Sequence, residues 1–179
     1  MKAEERARRI VLVLMDADGT LTDGTLTVMP DGEELKTYHV RDGLGILLAR
    51  MAGLDFGIIT GKTSQGLEKR ASRLRIAELH QGALDKPRVL EDILERRGLA
   101  PEAVAYIGDD IGDLAVMKTV GLAAAVADAV PEVKEHCHYV CRTPGGRGAV
   151  REFIEFILKA QGKWEDVTAR VQEVKGAGN

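Results

Sequence analysis

The chain has 179 residues, 45% of them hydrophobic and 30% charged, with a formal net charge of −3. That length suffices for one domain with a buried core, here residues 1–179, and the composition is that of a soluble globular protein. The slightly acidic balance gives no reason to expect nucleic acid or an anionic membrane surface as partner.

The opening Met1 to Arg9 carries charges of both signs, and the apolar run that follows, Ile10 to Met15, is far shorter than the roughly 18 to 20 residues of a membrane span. It reads as neither signal peptide nor membrane helix. The run shows no apolar–polar alternation, which predicts a strand covered on both faces and therefore a parallel sheet. It ends abruptly in Asp16-Ala17-Asp18-Gly19-Thr20. Residues two apart on a strand share a face, so Asp16 and Asp18 converge if extended geometry persists, whereas Gly19 suggests a tight turn. Two close carboxylates do not both stay ionised at neutral pH without a cation between them or a retained proton. A Mg²⁺ ion would let one act as ligand and nucleophile and the other as general acid and base; the plainer reading is an Asp pair capping a loop.

Thr25 to Met29 and Glu33 to Val40 flank Pro30-Asp31-Gly32, which predicts a projecting β-hairpin over about 25–39. Leu44, Ile46, Leu47, Leu48 and Met51 then mark an amphipathic helix, with Asp42 as its expected N-cap. Leu54 to Thr60 is a second buried strand, ending in Thr60-Gly61 before a charged helix from about Thr63 to Leu74. A short strand near Ile76 to Leu79 leads to Asp85-Lys86-Pro87, an N-cap and first turn for the helix carrying Leu90 and Ile93. Lys86 thus sits at a helix N-terminus, where the macrodipole favours anions; a cation makes sense there if both serve an anionic ligand.

Val104 to Ile107 is the next strand, closing in Gly108-Asp109-Asp110-Ile111-Gly112-Asp113 before a helix with Leu114, Val116 and Met117. Gly121 to Val126 and Tyr139 to Cys141 are further strands, with a short helix at Pro131 to Glu135 between them. Four potential zinc ligands crowd His136-Cys137-His138-Tyr139-Val140-Cys141, but a strand there puts Cys137 and Cys141 on one face and His138 on the other, so they do not surround one ion. Reduced thiols in a cytoplasm are the expected state. Thr143-Pro144-Gly145-Gly146-Arg147-Gly148 precedes a helix from Ala149 to Ala160; it reads equally as a phosphate cradle, without the P-loop Lys-Ser/Thr, or as a flexible linker. The tail over about 162–179 reads as an appended, partly mobile helix. Strand, loop and helix repeat with chemistry at strand C-termini, the doubly wound α/β arrangement whose ligand site lies there.

Four strand ends therefore offer Asp16 with Asp18, Thr60 with Gly61, Lys86, and Asp109 with Asp110 and Asp113. In this order and spacing over residues 10 to 126 they resemble the four motifs of the haloacid dehalogenase superfamily of phosphohydrolases. The resemblance implies that Asp16 attacks phosphorus to form an aspartyl-phosphate, while Asp18 protonates the leaving oxygen and then activates water. It implies Mg²⁺ held by Asp16, the Asp18 backbone carbonyl and Asp109, phosphate held by Thr60 and Lys86, and supporting roles for Asp110 and Asp113, whose plain alternative is a solvated loop and helix cap. The superfamily's substrate-selecting cap is inserted after the first or second motif. The 42 positions from Asp18 to Thr60 and the 26 from Thr60 to Lys86 leave no room for one. A capless enzyme must act on a large substrate or borrow a neighbouring subunit as its lid.

His39-Val40-Arg41-Asp42-Gly43, Ile58-Ile59-Thr60-Gly61-Lys62, Gln81-Gly82, the Gly108-Asp109-Asp110 loop and Gly145 to Glu152 look like the 3-deoxy-D-manno-octulosonate 8-phosphate phosphatase family, a likeness covering about residues 10 to 165. It implies hydrolysis of that sugar-acid phosphate in lipopolysaccharide precursor biosynthesis by a cytoplasmic homotetramer whose hairpins form a central barrel. Substrate contacts implied are Asp18, His39, Val40, Arg41, Asp42, Gly43, Gly61, Lys62 and Lys86, with Lys62, Arg70 and Arg73 offering cations to the carboxylate. Arg70 and Arg73 also read as one solvated helix face. Lys62 stands where the family typically has Arg, and a related phosphatase for nine-carbon sugar acids has an acidic residue, so the eight-carbon substrate is favoured. Leu47 departs from members with a substrate-reaching Arg there. Two further readings stand beside this one: a phosphatase of nine-carbon substrates, and a non-catalytic oligomerisation domain like that attached to some sialic acid cytidylyltransferases. A phosphorylation-receiver domain fits less well, because its phosphorylated Asp lies on the third strand.

Overall fold

The unalternating apolar runs form the middle of a sheet: β1 (Leu12–Met15) has every residue buried, and the computed structural model, which describes residues 1–176, pairs it in parallel with β4 (Asp55–Ile59) and β6 (Val104–Gly108). Buried strands lose their backbone hydrogen-bonding water and recover it only by pairing on both edges, as β1 does. Outward from this centre lie β5 (Glu78–His80) on one side, then β7 (Leu122–Ala125) and β8 (Tyr139–Val140) on the other. The resulting six-stranded order is β5-β4-β1-β6-β7-β8, parallel throughout. Strands β4 and β5 are added on one side of β1 and β6 to β8 on the other, which makes β1 the switch point where doubly wound folds bind ligands beyond the strand C-termini.

Helices flank the sheet in two packed groups. α2 (Val40–Met51) lies against α7 (Ala149–Ala160), with α1 (Ala3–Ala7) and α8 (Trp164–Gly176) packed on α7; α4 (Lys86–Arg97) packs on α5 (Leu114–Met117). α3 (Gln65–Arg73) and α6 (Pro131–Glu135) complete the set. The fully buried side chains include Phe56, Tyr106, Phe153 and Ile46. α1 went unsignalled in the sequence, its five residues being too few to show a period. The expected tail helix is α8, and residues 177–179 lie outside the described residues. No described helix is long and apolar enough to cross a membrane.

Several helix starts follow from local chemistry. Asp85 caps α4 by accepting from the Arg88 N–H at 3.1 Å, with Pro87 in the first turn, and Ser64 caps α3 through the Leu67 N–H. The start of α2 differs from expectation: His39 is the N-cap and the helix begins at Val40. Asp42, read from the sequence as the cap, lies inside the first turn, 2% exposed, where its Oδ1 accepts the Arg151 N–H of α7 at 2.8 Å. The carboxylate serves a helix 109 residues away, a partner no local pattern shows.

The hairpin is β2 (Thr27–Val28) paired antiparallel with β3 (Glu34–Leu35) around a turn in which Gly32 adopts a φ of +86°. Its apolar side chains Leu26, Val28 and Leu35 are exposed. Only this hairpin and α2 separate β1 from β4, so no cap domain is inserted there.

Candidate active site

Register places the strand-end residues side by side. Met15 pairs with Ile58 on one flank and Ile107 on the other, so Asp16, Thr60 and Asp109 all emerge at the same edge of the sheet within two residues of the last pairing. The Asp16 N–H still donates to the Ile107 carbonyl at 3.1 Å, and Thr60 is buried with its N–H on the His80 carbonyl at 2.9 Å. Rigid strands thus aim the side chains, which is why this edge suits a reaction needing fixed geometry.

Lys86 joins the carboxylates. Its ammonium donates to Asp16 Oδ1 at 2.8 Å and to Asp113 Oδ1 at 2.7 Å, in a buried setting. The Tyr106 hydroxyl donates to the same Asp113 oxygen at 2.6 Å, while Asp113 Oδ2 accepts the N–H groups of Asp109 (3.1 Å) and Asp110 (3.4 Å). Both Asp113 oxygens are thereby spent on protein donors, which makes this residue the anchor of the ammonium and of the 108–110 turn. It stands at the N-cap position of α5 but is not solvated, being 1% exposed. Asp110 is exposed and does cap, accepting the Ile111 N–H at 2.7 Å.

Asp16, Asp109 and Asp113 can each bring one oxygen within 4.8 Å of the others, and among the described residues no other such group of possible metal ligands occurs. The cysteine-rich hexapeptide gathers none, and Cys137 and Cys141 are free thiols. Burial, with the Asp113 charge behind it, pushes Asp16 up to about 6 against the pull of Lys86. Burial and the charges of Asp16 and Asp113 push Asp109 up to about 7, although the Thr20 hydroxyl donates to it at 3.0 Å. Burial opposes the charge on Lys86, but Asp113 and Asp16 outweigh it and hold the ammonium above its ordinary value. Three carboxylates around one ammonium leave an excess of negative charge.

Asp18 is not part of the group formed by Asp16, Asp109 and Asp113. Its Oδ1 is paired with Lys36, which descends from the end of β3 and is almost fully buried, and its Oδ2 is enclosed without a partner. Lys36 is a site residue that sequence reasoning missed, because a lysine in a polar hairpin reads as solvated. Tyr38 is another. Burial and the neighbouring Asp18 charge push its phenol up to about 12, and its ring carries the Arg70 guanidinium at 5.7 Å. Arg70 lies across α2 at Gly43, where a Cβ would come within 2.3 Å of the guanidinium. Tyr106 also went unread, although a tyrosine inside an apolar strand signals a buried hydroxyl seeking a partner.

The other expected contacts divide. His39 caps α2 with Nδ1 enclosed and unpartnered, while Val40 and Arg41 are exposed. Gly61 and Lys62 lie on a loop pinned by Gln81, which accepts the Ser64 N–H at 2.7 Å. Lys62 pairs with Glu34 of the hairpin at 3.2 Å across a groove of about 680 Å³. Arg73 is exposed and makes no ion pair among the described residues.

Residues 58–154 match the family model of haloacid dehalogenase-like hydrolases. A 3-deoxy-D-manno-octulosonate 8-phosphate phosphatase of Escherichia coli K12 is 45% identical over 161 residues, covering 90% of this chain and 86% of that protein. The chain belongs to the 3-deoxy-D-manno-octulosonate 8-phosphate phosphatase family. The crystal structure of a member from Yersinia pestis superposes with a TM-score of 0.89 at 47% identity, covering 91% of this chain and 88% of that one. A member from Moraxella catarrhalis, solved with magnesium, phosphate and a KDO molecule, gives a TM-score of 0.92 at 35% identity, covering 94% and 97%.

Proposed function

We propose that this chain is a Mg²⁺-dependent phosphatase that hydrolyses 3-deoxy-D-manno-octulosonate 8-phosphate to the free sugar acid and phosphate, working as one catalytic unit in the cytoplasm. The observation that carries it is the buried Lys86 ammonium bridging Asp16 and Asp113 at 2.8 and 2.7 Å beside Asp109, at the switch point of the sheet. The donor set fits the metal: Asp16 and Asp109 present hard carboxylate oxygens gathered within 4.8 Å of each other at the strand edge. Asp16 and Asp109 would hold Mg²⁺ together with the Asp18 carbonyl. When bound, the ion neutralises the phosphate dianion and the charge that grows on it.

The chain's own residues supply the rest. Asp16 Oδ attacks phosphorus, the P–O bond to the sugar breaks, and an aspartyl-phosphate forms. Lys86 and Thr60 hold the phosphoryl oxygens, with Asp113 and Tyr106 fixing the ammonium. Asp18 gives a proton to the departing sugar oxygen, then takes one from the water that releases phosphate. The Asp18 carboxylate is occupied by Lys36, so productive binding must loosen that contact to free it for proton transfer.

Sugar-acid recognition is assigned to the ground between hairpin and α3, where Lys62 faces solvent beside Glu34. Turnover of eight-carbon and nine-carbon sugar-acid phosphates side by side tests the substrate, with the eight-carbon ester expected to win. Lys62→Glu should lower kcat/KM for it by roughly tenfold to a hundredfold, the worth of a charge-assisted contact of about 1.5 to 3 kcal/mol. A small phosphate ester without a carboxylate should lose much less. An equal loss on both would move Lys62 to the phosphate site and remove the support for this substrate.

The site has only a hairpin for a lid, and we infer a homotetramer that completes it. Support comes from exposed apolar side chains: Leu26, Val28 and Leu35 on the hairpin, and Val40, Leu44, Leu47 and Met51 in one stripe along α2. Leu47, where some members carry Arg, belongs to that stripe. Light scattering should report four chains per particle; an active monomer would refute the assembly.

A further inference from the structure

The glycine-rich segment 143–148, read from the sequence as a phosphate cradle or a linker, is neither. Its backbone is pressed against the turn that follows Asp18. The Gly146 N–H donates to the Thr20 carbonyl at 2.9 Å, and the Gly145 N–H to Asp128 Oδ1 at 2.8 Å. A Cβ on Gly145 would come within 1.7 Å of the Gly19 carbonyl oxygen, and one on Gly146, whose φ is +63°, within 2.3 Å of the Asp23 nitrogen. Backbone touches backbone here, and only glycine permits it.

One side chain gathers the start of this segment. Glu152, in the first turns of α7, reaches back and fills both carboxylate oxygens with four donors. Oε1 accepts the Arg142 N–H at 2.9 Å and the Tyr139 hydroxyl at 3.0 Å; Oε2 accepts the Thr143 N–H at 3.0 Å and the Thr143 hydroxyl at 2.5 Å. The turn on the far side of the contact is the one that matters for chemistry. Gly19 lies so close to Asp109 that a Cβ there would be 2.0 Å from its Oδ2, and the Thr20 hydroxyl donates to Asp109 Oδ1 at 3.0 Å. Asp18 is the residue before Gly19.

We propose that Glu152 is a positioning residue for the reaction: through Thr143, Gly145 and Gly146 it clamps the Gly19–Thr20 turn, and so sets where Asp18 and Asp109 stand relative to Asp16. This rests on the phosphatase reading above. Glutamate is required because all four of its partners at this site donate. Glutamine keeps the volume but turns an NH₂ toward one of these pairs, where the hydroxyl can rotate to accept but the backbone N–H is left facing a donor.

The test uses the full-length chain. Glu152→Gln should lower kcat at least tenfold with KM changed less than threefold, and should weaken Mg²⁺ binding, read by calorimetry without substrate, by a similar factor. Gly145→Ala, which pushes the turn from the same side, should reproduce both effects. Arg142→Ala removes a side chain that is 94% exposed and keeps the N–H that Glu152 accepts, and should leave both unchanged. Folded Glu152→Gln and Gly145→Ala proteins with wild-type kcat and Mg²⁺ affinity, and only a lower Tm, would overturn the proposal by showing a purely structural contact. If either variant fails to fold, the other carries the same two readouts. An inactive wild type run in parallel would instead overturn the phosphatase reading.

Discussion

Asp16→Asn is expected to reduce turnover by roughly 10⁴-fold or more while the protein stays folded, because the amide occupies the same volume but cannot attack phosphorus. The fold should tolerate the change for a reason visible in the site. Asp16 is one of three crowded carboxylates, and burial and the Asp113 charge already push its pKa up to about 6, so the ionised form is held at a cost. Lys86 loses one anionic partner but keeps Asp113 at 2.7 Å and remains hydrogen-bonded to Tyr106 at 3.4 Å. Phosphate release and thermal unfolding measured on the same sample separate the two effects. Activity within tenfold of wild type would remove Asp16 as nucleophile, and a collapsed Tm would make the loss of activity uninformative about its role.

The parts of this site that were legible in the sequence are those whose cause is local. An apolar run ending in a carboxylate, as at Met15-Asp16 and Ile107-Gly108-Asp109, is a buried strand delivering charge to its tip; one sheet then brings the tips together. The caps of α3 and α4 are local in the same sense. What could not be read depends on contacts across the chain. Lys36 looked solvated until the hairpin's return arm carried it onto Asp18, and Asp42 looked like a cap until α7 supplied the Arg151 N–H. The glycines at 145 and 146 have no motif-level explanation, since what they accommodate is the backbone of Gly19 and Asp23, more than a hundred residues earlier.

Removing Mg²⁺ with a chelator is expected to stop turnover completely and reversibly, and the same cluster makes a second, activity-free prediction about stability. Asp16 and Asp109 have pKa values of about 6 and about 7, both above the ordinary 3.8. The folded, metal-free protein therefore keeps protons that the unfolded chain releases. A group whose folded pKa is raised in this way favours folding most at low pH, and its stability contribution falls as pH rises from about 4 to about 7. The summed loss is on the order of a few kcal/mol, since each pKa unit is worth about 1.4 kcal/mol and the two sites share one repulsion. Mg²⁺ binds the ionised carboxylates and competes with those protons, so its stabilisation, about 2.7 kcal/mol at a hundredfold excess over Kd, should appear at pH 8 and shrink toward pH 5. Thermal unfolding with and without Mg²⁺ across that range measures the difference directly and cancels titrations elsewhere in the chain. Asp109→Asn should flatten the pH dependence of the metal-induced shift as well as reduce its size. A Mg²⁺ shift in Tm that is the same at pH 5 and pH 8 would mean that the ion stabilises the fold from some place other than the Asp16–Asp109 cluster.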